Sequence, residues 1–166
     1  IFLFARPGYF IRERGSSEED RYSSGPRNAI KSTVVNYDWK NFQILAPALQ
    51  NLKKYYKPKK LILIGHSGGA YQGGTIHGKV PGLVDINILI SCPCDWEIRK
   101  KLSNGKKWET KSQLKELKKN SPSFNYKDID LKSLNILIVG KDDKNTAPGV
   151  SKYYYDLLKK KKLQVK

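Results

Sequence analysis

Several residue types are scarce in this chain of 166 residues. It contains no methionine, two histidines and two cysteines. Cys92 and Cys94 flank a single proline, a spacing that suits neither a Cys-x-x-Cys redox motif nor a zinc site. We interpret them as ordinary residues at the end of a strand. No apolar run approaches the ~20 residues that a membrane-spanning helix needs, so no membrane span is predicted.

Acidic residues are also scarce relative to basic ones. The chain has 15 Asp and Glu against 32 Lys and Arg, which gives a net charge of +17. Such an excess raises nucleic acid as a partner. However, the lysines are spread over residues 53–60, 100–119 and 159–162, where solvated helix faces are expected, and arginine occurs only six times. We therefore favour a generally lysine-rich composition and keep a basic nucleic-acid-binding protein as an alternative.

The length and composition fit one globular domain over residues 1–166. Hydrophobic residues make up 39% of the chain, enough for a core, and no repeat or low-complexity linker divides it. Ile1-Phe2-Leu3-Phe4 resembles a strand already under way, and Leu163-Gln164-Val165-Lys166 the start of another. Together with the missing methionine, these ends lead us to expect a fragment. Compartment and oligomeric state stay open.

Apolar runs alternate with helical patterns along most of the chain. Strands are predicted at 60–65, 84–91 and 135–139, and helices at about 39–57 and 68–77, over 95–120, and from Val150 to Leu158. Pro47 should kink the first helix or mark its first turn, and the polar residues 12–36 should form a surface loop. Near-continuous apolar strands separated by helices predict an α/β fold: a mostly parallel central sheet with helices on both faces.

A Gly-x-Ser-x-Gly motif follows the first of these central strands. Gly65-His66-Ser67-Gly68-Gly69 comes directly after four apolar residues and before small, helix-compatible ones. This strand–turn–helix context is typical of a nucleophile elbow, in which a serine is exposed on a strained turn. Gly65 and Gly69 would supply the lack of bulk that the turn needs, and the Gly68 N–H would face the oxyanion. The alternative is a turn that holds a phosphate, but neither glycine-rich phosphate fingerprint is present.

An acid for such a serine is predicted after a later strand. In elbow-bearing folds the acid follows the serine in the chain and the histidine comes last. The strand over 135–139 ends in Gly140-Lys141-Asp142-Asp143. We favour Asp143, with Asp142 and Asp95 as lesser candidates. The structural alternative is an acidic turn or helix cap before Pro148.

A catalytic base is missing from the predicted set. His66 adjoins Ser67 and should point away from the base position, whereas His77 lies about three helical turns beyond the serine. We interpret both as structural and expect the base beyond Lys166. A protein that lacks a base altogether is the alternative.

These features resemble the α/β-hydrolase superfamily, near its lidless prolyl-oligopeptidase and dienelactone-hydrolase branches. The resemblance depends on the elbow Gly65–Ala70, on Ser121-Pro122-Ser123, and on Gly140–Asp143 with Pro148; Arg6-Pro7-Gly8-Tyr9 resembles the strand and loop that precede the elbow. It implies a serine hydrolase with Ser67 as nucleophile, Asp143 as acid and Gly68 in the oxyanion hole. It also implies an ester or amide acyl substrate, either a small molecule or a peptide, and no metal or organic cofactor. The isolated fragment should be nearly inert, and a non-catalytic binding protein of the same fold stays as an alternative.

Overall fold

The computed structural model describes residues 1–2, 9–11, 17–19, 43–102 and 111–166, with backbone only for 9–11, 17–19 and 111–113. The predicted first strand and the Arg6-Pro7-Gly8-Tyr9 motif lie mostly outside these residues, as does most of the predicted loop over 12–36. Within that loop, strand β2 (Ser17–Glu19) pairs antiparallel with strand β1 (Tyr9–Ile11). The prediction of a continuous loop is wrong there, because a short polar strand carries no alternating apolar signal.

The central sheet is parallel, as predicted. Its strands are β3 (Ile62–His66), β4 (Ile86–Ile90), β5 (Leu134–Ile138) and β6 (Gln164–Val165), in that spatial order. Isoleucine dominates the first three strands, and its branched Cβ favours the extended backbone. Because consecutive parallel strands need a crossover connection, a helical segment separates each pair.

The described helices follow the predicted order with adjusted ends, except that the region over 95–120 contains two helices and that a short helix over 122–125 was not predicted. They are α1 (Leu45–Tyr56), α2 (Gly68–Lys79), α3 (Trp96–Leu102), α4 (Lys111–Lys119), α5 (Pro122–Asn125) and α6 (Pro148–Lys160). Pro47 lies in the first turn of α1, the second of its two predicted positions. In the part of the chain that the structure describes, no helix is both long and apolar enough to span a bilayer.

The sheet buries the face that carries Leu89. On this side Leu89 packs with Ala70 of α2 and with Tyr154 and Leu158 of α6, all fully buried. On the opposite face Ile62, Ile64 and Ile138 are exposed. Among the described residues, the packed core between strands and helices therefore lies on the Leu89 side of the sheet, where it fixes the start of α2 relative to β3. Helices on the other face stay a prediction.

Two asparagines interrupt the apolar packing on the buried face. Asn87 of β4 and Asn135 of β5 are register partners, and both are fully buried. The Asn135 amide reaches the backbone carbonyl of Gln164 on β6 at 3.5 Å. Neither polar atom of the Asn87 side chain has a hydrogen-bond partner. The sheet interior thus carries a polar pair at its centre.

The two cysteines are joined to each other. A disulfide links Cys92 and Cys94, whose Cα atoms are 5.0 Å apart, and both side chains are fully buried. Our interpretation of them as ordinary residues at the end of a strand missed this bond. The bond closes a three-residue loop between β4 and α3, a pairing that sequence spacing alone did not indicate.

Candidate active site

Ser67 lies on a sharp turn between β3 and α2. Its backbone has φ 50° and ψ −115°, a positive-φ conformation that non-glycine residues rarely adopt and that is found at functional sites. The Ser67 N–H donates to the Ile90 carbonyl at 2.9 Å, and the Ser67 carbonyl accepts from the Tyr71 N–H at 3.1 Å. The sheet hydrogen bonds therefore continue up to the serine, and the helix begins immediately after it.

The two motif glycines differ in what surrounds them. A Cβ on Gly65 would lie 2.4 Å from the carbonyl oxygen of Gly69 and 2.6 Å from the Ala70 nitrogen, so strand and helix touch backbone to backbone here. A Cβ on Gly69 would meet nothing within 4 Å. Only Gly65 is required by close packing, and the expectation that Gly69 must also lack bulk does not hold for this fold.

Gly68 is the first residue of α2 and is buried. The N–H groups of a helix's first turn have no acceptor within the helix, and the helix dipole adds partial positive charge at this end. Donors of this kind, placed directly after a nucleophile, can stabilise an oxyanion. The position of Gly68 is thus compatible with the predicted role.

Asp143 lies in the turn that follows β5. Its Oδ1 accepts the backbone N–H groups of Thr146 at 2.8 Å and Asn145 at 2.9 Å. The Thr146 hydrogen bond, then those from the Ser91 side chain and Asn145, with the charge of His66, hold the pKa of the Asp143 carboxyl below its usual value, although partial burial opposes them. Asp143 is therefore a half-buried carboxylate that stays ionised.

The ends of β3, β4 and β5 bring the serine and this carboxylate to one edge of the sheet. The Ser67 N–H bonds to Ile90 at the end of β4, and the Ser91 N–H bonds to Ile138 at the end of β5 at 2.8 Å. Ser91 also has positive φ, at 49°, and its side chain contributes to the lowered pKa of the Asp143 carboxyl. Sequence reasoning missed Ser91, for which the sole signal was its place directly after an apolar strand.

The two lesser acid candidates have different surroundings. Asp142 is exposed to solvent. Asp95 is buried, and both of its oxygens are engaged: Oδ1 accepts the Ile98 N–H at 2.8 Å and Oδ2 accepts the Ser123 hydroxyl at 2.6 Å. Asp95 therefore caps the start of α3 and ties it to α5.

The two histidines also differ. His66 is exposed, and its charge contributes to the lowered pKa of the Asp143 carboxyl. His77 is fully buried, its Nε2 lies 3.1 Å from the Ser133 hydroxyl, and burial lowers its pKa to about 4. A neutral, enclosed imidazole of this kind has a structural role. Within the described ranges, no group of three His, Cys, Asp or Glu side chains is arranged to hold a metal ion.

Solved structures share this arrangement of strands and helices. An acylaminoacyl peptidase from Pyrococcus horikoshii aligns with a TM-score of 0.64 and 17% identity over 80% of this chain. An acylaminoacyl peptidase in complex with Z-Gly-Gly-Phe-chloromethyl ketone gives 0.63 and 19% over 75%. Prolyl oligopeptidase B from Galerina marginata, bound to a 35mer hydrolysis and macrocyclization substrate, gives 0.61 and 18% over 72%. These similarities confirm the α/β-hydrolase fold.

The chain matches only part of each of those proteins. It covers 23%, 22% and 18% of the three structures, in the same order. Among curated proteins, none shows a significant sequence match. In contrast, the family model of the prolyl oligopeptidase family matches residues 11–166, which is nearly the whole chain. The match includes Ser67 and the turn after β5 that carries Asp143, here called the acid turn. The resemblance inferred from the motifs is thus confirmed: the chain belongs to the prolyl oligopeptidase family.

Proposed function

We propose that this chain is the catalytic part of a serine hydrolase that cleaves peptide or ester bonds through an acyl-enzyme on Ser67. Asp143 acts as the acid of the triad. The base is a histidine that follows Lys166 in the full-length protein, as the Ser, Asp, His order requires. The observation that carries the proposal is the strained Ser67 turn on the same sheet edge as an ionised, hydrogen-bonded Asp143.

In the proposed reaction, the histidine removes the Ser67 proton as Oγ attacks the substrate carbonyl. The N–H of Gly68 donates to the resulting oxyanion, an interaction worth about 3 kcal/mol for one donor. Asp143 holds the histidine tautomer and stabilises the imidazolium, which then protonates the leaving amine or alcohol. Water, activated by the same histidine, finally hydrolyses the acyl-enzyme and regenerates Ser67.

The proposed substrate is a peptide. Two of the similar structures contain a peptide-like chloromethyl ketone and a 35mer substrate, respectively, and the chain belongs to the prolyl oligopeptidase family. A peptide amide and the ester of the same acyl group should both be hydrolysed. Their kcat/KM values are compared on the full-length protein, and cleavage of the ester alone would restrict the proposal to an esterase.

Labelling with a fluorophosphonate tests the nucleophile. The full-length protein should be labelled at Ser67, as located by peptide mass spectrometry, and Ser67→Ala should abolish labelling. His66→Gln should keep measurable labelling, since we place the base elsewhere. Labelling that persists in Ser67→Ala would refute the assignment of the nucleophile. Loss in His66→Gln as complete as in Ser67→Ala would make His66 the base.

The adjacent acids offer a matched pair for testing the triad. Asp143→Asn should lower kcat on the order of 10³- to 10⁴-fold, because the histidine loses its charged partner. Asp142→Asn removes the same charge from an exposed neighbour and should change kcat by no more than about twofold. The reverse order of effects would move the acid to Asp142. Equal, small effects would mean that neither residue is the acid.

A further inference from the structure

The Arg99 side chain joins helix α3 to the turn that carries Asp143. Within the turn, the Asp143 N–H donates to the Gly140 carbonyl at 3.1 Å, and Asn145 donates back to Asp143. Arg99 of α3 reaches this turn from 46 residues away in sequence. Its Nε and Nη2 each lie 3.4 Å from the Asn145 carbonyl oxygen, and Nη2 lies 3.3 Å from Asn145 Oδ1.

Arg99 is itself held firmly. Its guanidinium carbon lies 4.5 Å from the centre of the Trp96 ring, a cation–π contact, and only 8% of the residue is exposed. The buried Asp95 carboxylate fixes the first turn of α3 by accepting the Ile98 N–H. A burial this deep is unusual for an arginine. The guanidinium thus contacts the Trp96 ring as well as Asn145 of the acid turn.

We propose that Arg99 is a positioning residue for Asp143, an inference that rests on the proposed function. The Arg99 guanidinium donates to two acceptors of Asn145, its backbone carbonyl and Oδ1. The Asn145 N–H in turn donates to Asp143 Oδ1. The chain of contacts therefore runs from the buried Trp96 ring through Arg99 and Asn145 to the Asp143 carboxylate. Arginine suits this role better than lysine, because its planar fork fills two acceptors at once in a fixed geometry.

The experiment measures the rate constant for fluorophosphonate labelling of Ser67 against pH, on the full-length protein. Arg99→Gln and Arg99→Lys should lower it by about 10- to 100-fold, the cost of moving a catalytic group by roughly 1 Å. The midpoint of the acid limb should also move to lower pH, because a misplaced carboxylate stabilises the imidazolium less. Lys118→Gln is the matched control: it removes an exposed cation that pairs with Glu97 of α3, and should leave rate and midpoint unchanged.

A second pair of variants separates positioning from folding. Asn145→Ala removes the Oδ1 acceptor of an exposed side chain. It should lower the labelling rate constant less than Arg99→Gln does, and should also move the midpoint to lower pH. In an Asp143→Asn background, Arg99→Gln should cost no more than about twofold further, since coupled residues are not additive. If Arg99→Gln lowers the labelling rate constant by the same factor in the wild type and in the Asp143→Asn variant, Arg99 acts elsewhere and the proposal is overturned.

Two further outcomes count against the inference. If Arg99→Gln lowers only the labelled fraction, with the rate constant and midpoint of the remaining protein unchanged, then Arg99 serves stability alone. An unchanged rate and midpoint in a fully active variant would also overturn it. In either case the loss of labelling in Ser67→Ala still supports the proposed function, whereas persistent labelling in Ser67→Ala overturns both.

Discussion

Replacing Gly65 by alanine tests the contact on which the Ser67 turn depends. The added Cβ would lie 2.4 Å from the Gly69 oxygen, 2.5 Å from the Gly69 carbonyl carbon and 2.6 Å from the Ala70 nitrogen. All three are backbone atoms, so no side chain can rotate away. An ordinary contact of about 3.4 Å requires α2 to move from β3 by roughly 1 Å. We expect a loss of about 1–3 kcal/mol in the free energy of unfolding, as for other overpacked sites.

The same displacement should affect catalysis. Ser67 joins the two elements that are forced apart, and a 1 Å misplacement costs about 100-fold in rate. Gly69→Ala is the matched control, because its Cβ would meet nothing within 4 Å and Gly69 lies within α2. There alanine should raise stability by about 0.4–1 kcal/mol, through a less flexible unfolded chain.

Both variants are measured by urea unfolding and by the rate of fluorophosphonate labelling. The reasoning predicts opposite signs for the two stability changes and a large rate loss for Gly65→Ala alone. Equal stability of the two variants, or a Gly65→Ala protein that is labelled as fast as the wild type, would refute the inferred backbone contact between β3 and α2.

Two further predictions concern the buried end of α2. The pKa of His77 is about 4 in the folded state and 6.5 in the unfolded state. Between these pH values the unfolded state binds more protons. The free energy of unfolding should therefore fall as the pH drops from 6.5 to 4, by roughly 3 kcal/mol in all. His77→Gln should flatten that part of the pH dependence in urea titrations, and equal slopes for variant and wild type would disprove the buried neutral imidazole. Gly78→Ala places a Cβ 2.4 Å from the Asn125 carbonyl oxygen and should lower the thermal midpoint through a loss of about 1–3 kcal/mol. Gly73→Ala in the same helix, whose nearest contact is 3.4 Å, should not lower the midpoint; similar losses in both would contradict the tight packing at Gly78.

Much of the fold follows from local patterns. Apolar runs rich in isoleucine identify β3, β4 and β5, because branched side chains favour the extended backbone. The elbow is readable because its glycine, serine and flanking strand are consecutive. The position of Asp143 at the same sheet edge as Ser67 could be predicted, because the carboxyl ends of parallel strands share one edge.

The contacts that surround the site could not be predicted in this way. Arg99 and Asn145 are 46 residues apart, and their meeting depends on how α3 packs against the acid turn. The strained φ of Ser91 likewise comes from tertiary context, since serine has no intrinsic preference for that conformation. Even at the elbow, the motif treats its two glycines alike, whereas only the three-dimensional distances separate Gly65 from Gly69. Local sequence thus locates the candidate reacting groups, and long-range packing decides what holds them.

The alignment of the strands depends on the apolar side of the sheet and not on its paired asparagines. Sliding β4 by one residue against β5 would turn the Asn87 amide towards the isoleucine face, and sliding it by two would part it from Asn135. The isoleucine face is exposed at Ile62, Ile64 and Ile138, so an amide that moved there would meet solvent, whereas Leu89 would lose its buried place against α2 and α6. The correct alignment therefore depends on apolar burial, and the polar pair, in which the Asn87 side chain makes no hydrogen bond, lowers the stability of the sheet without adding to that alignment.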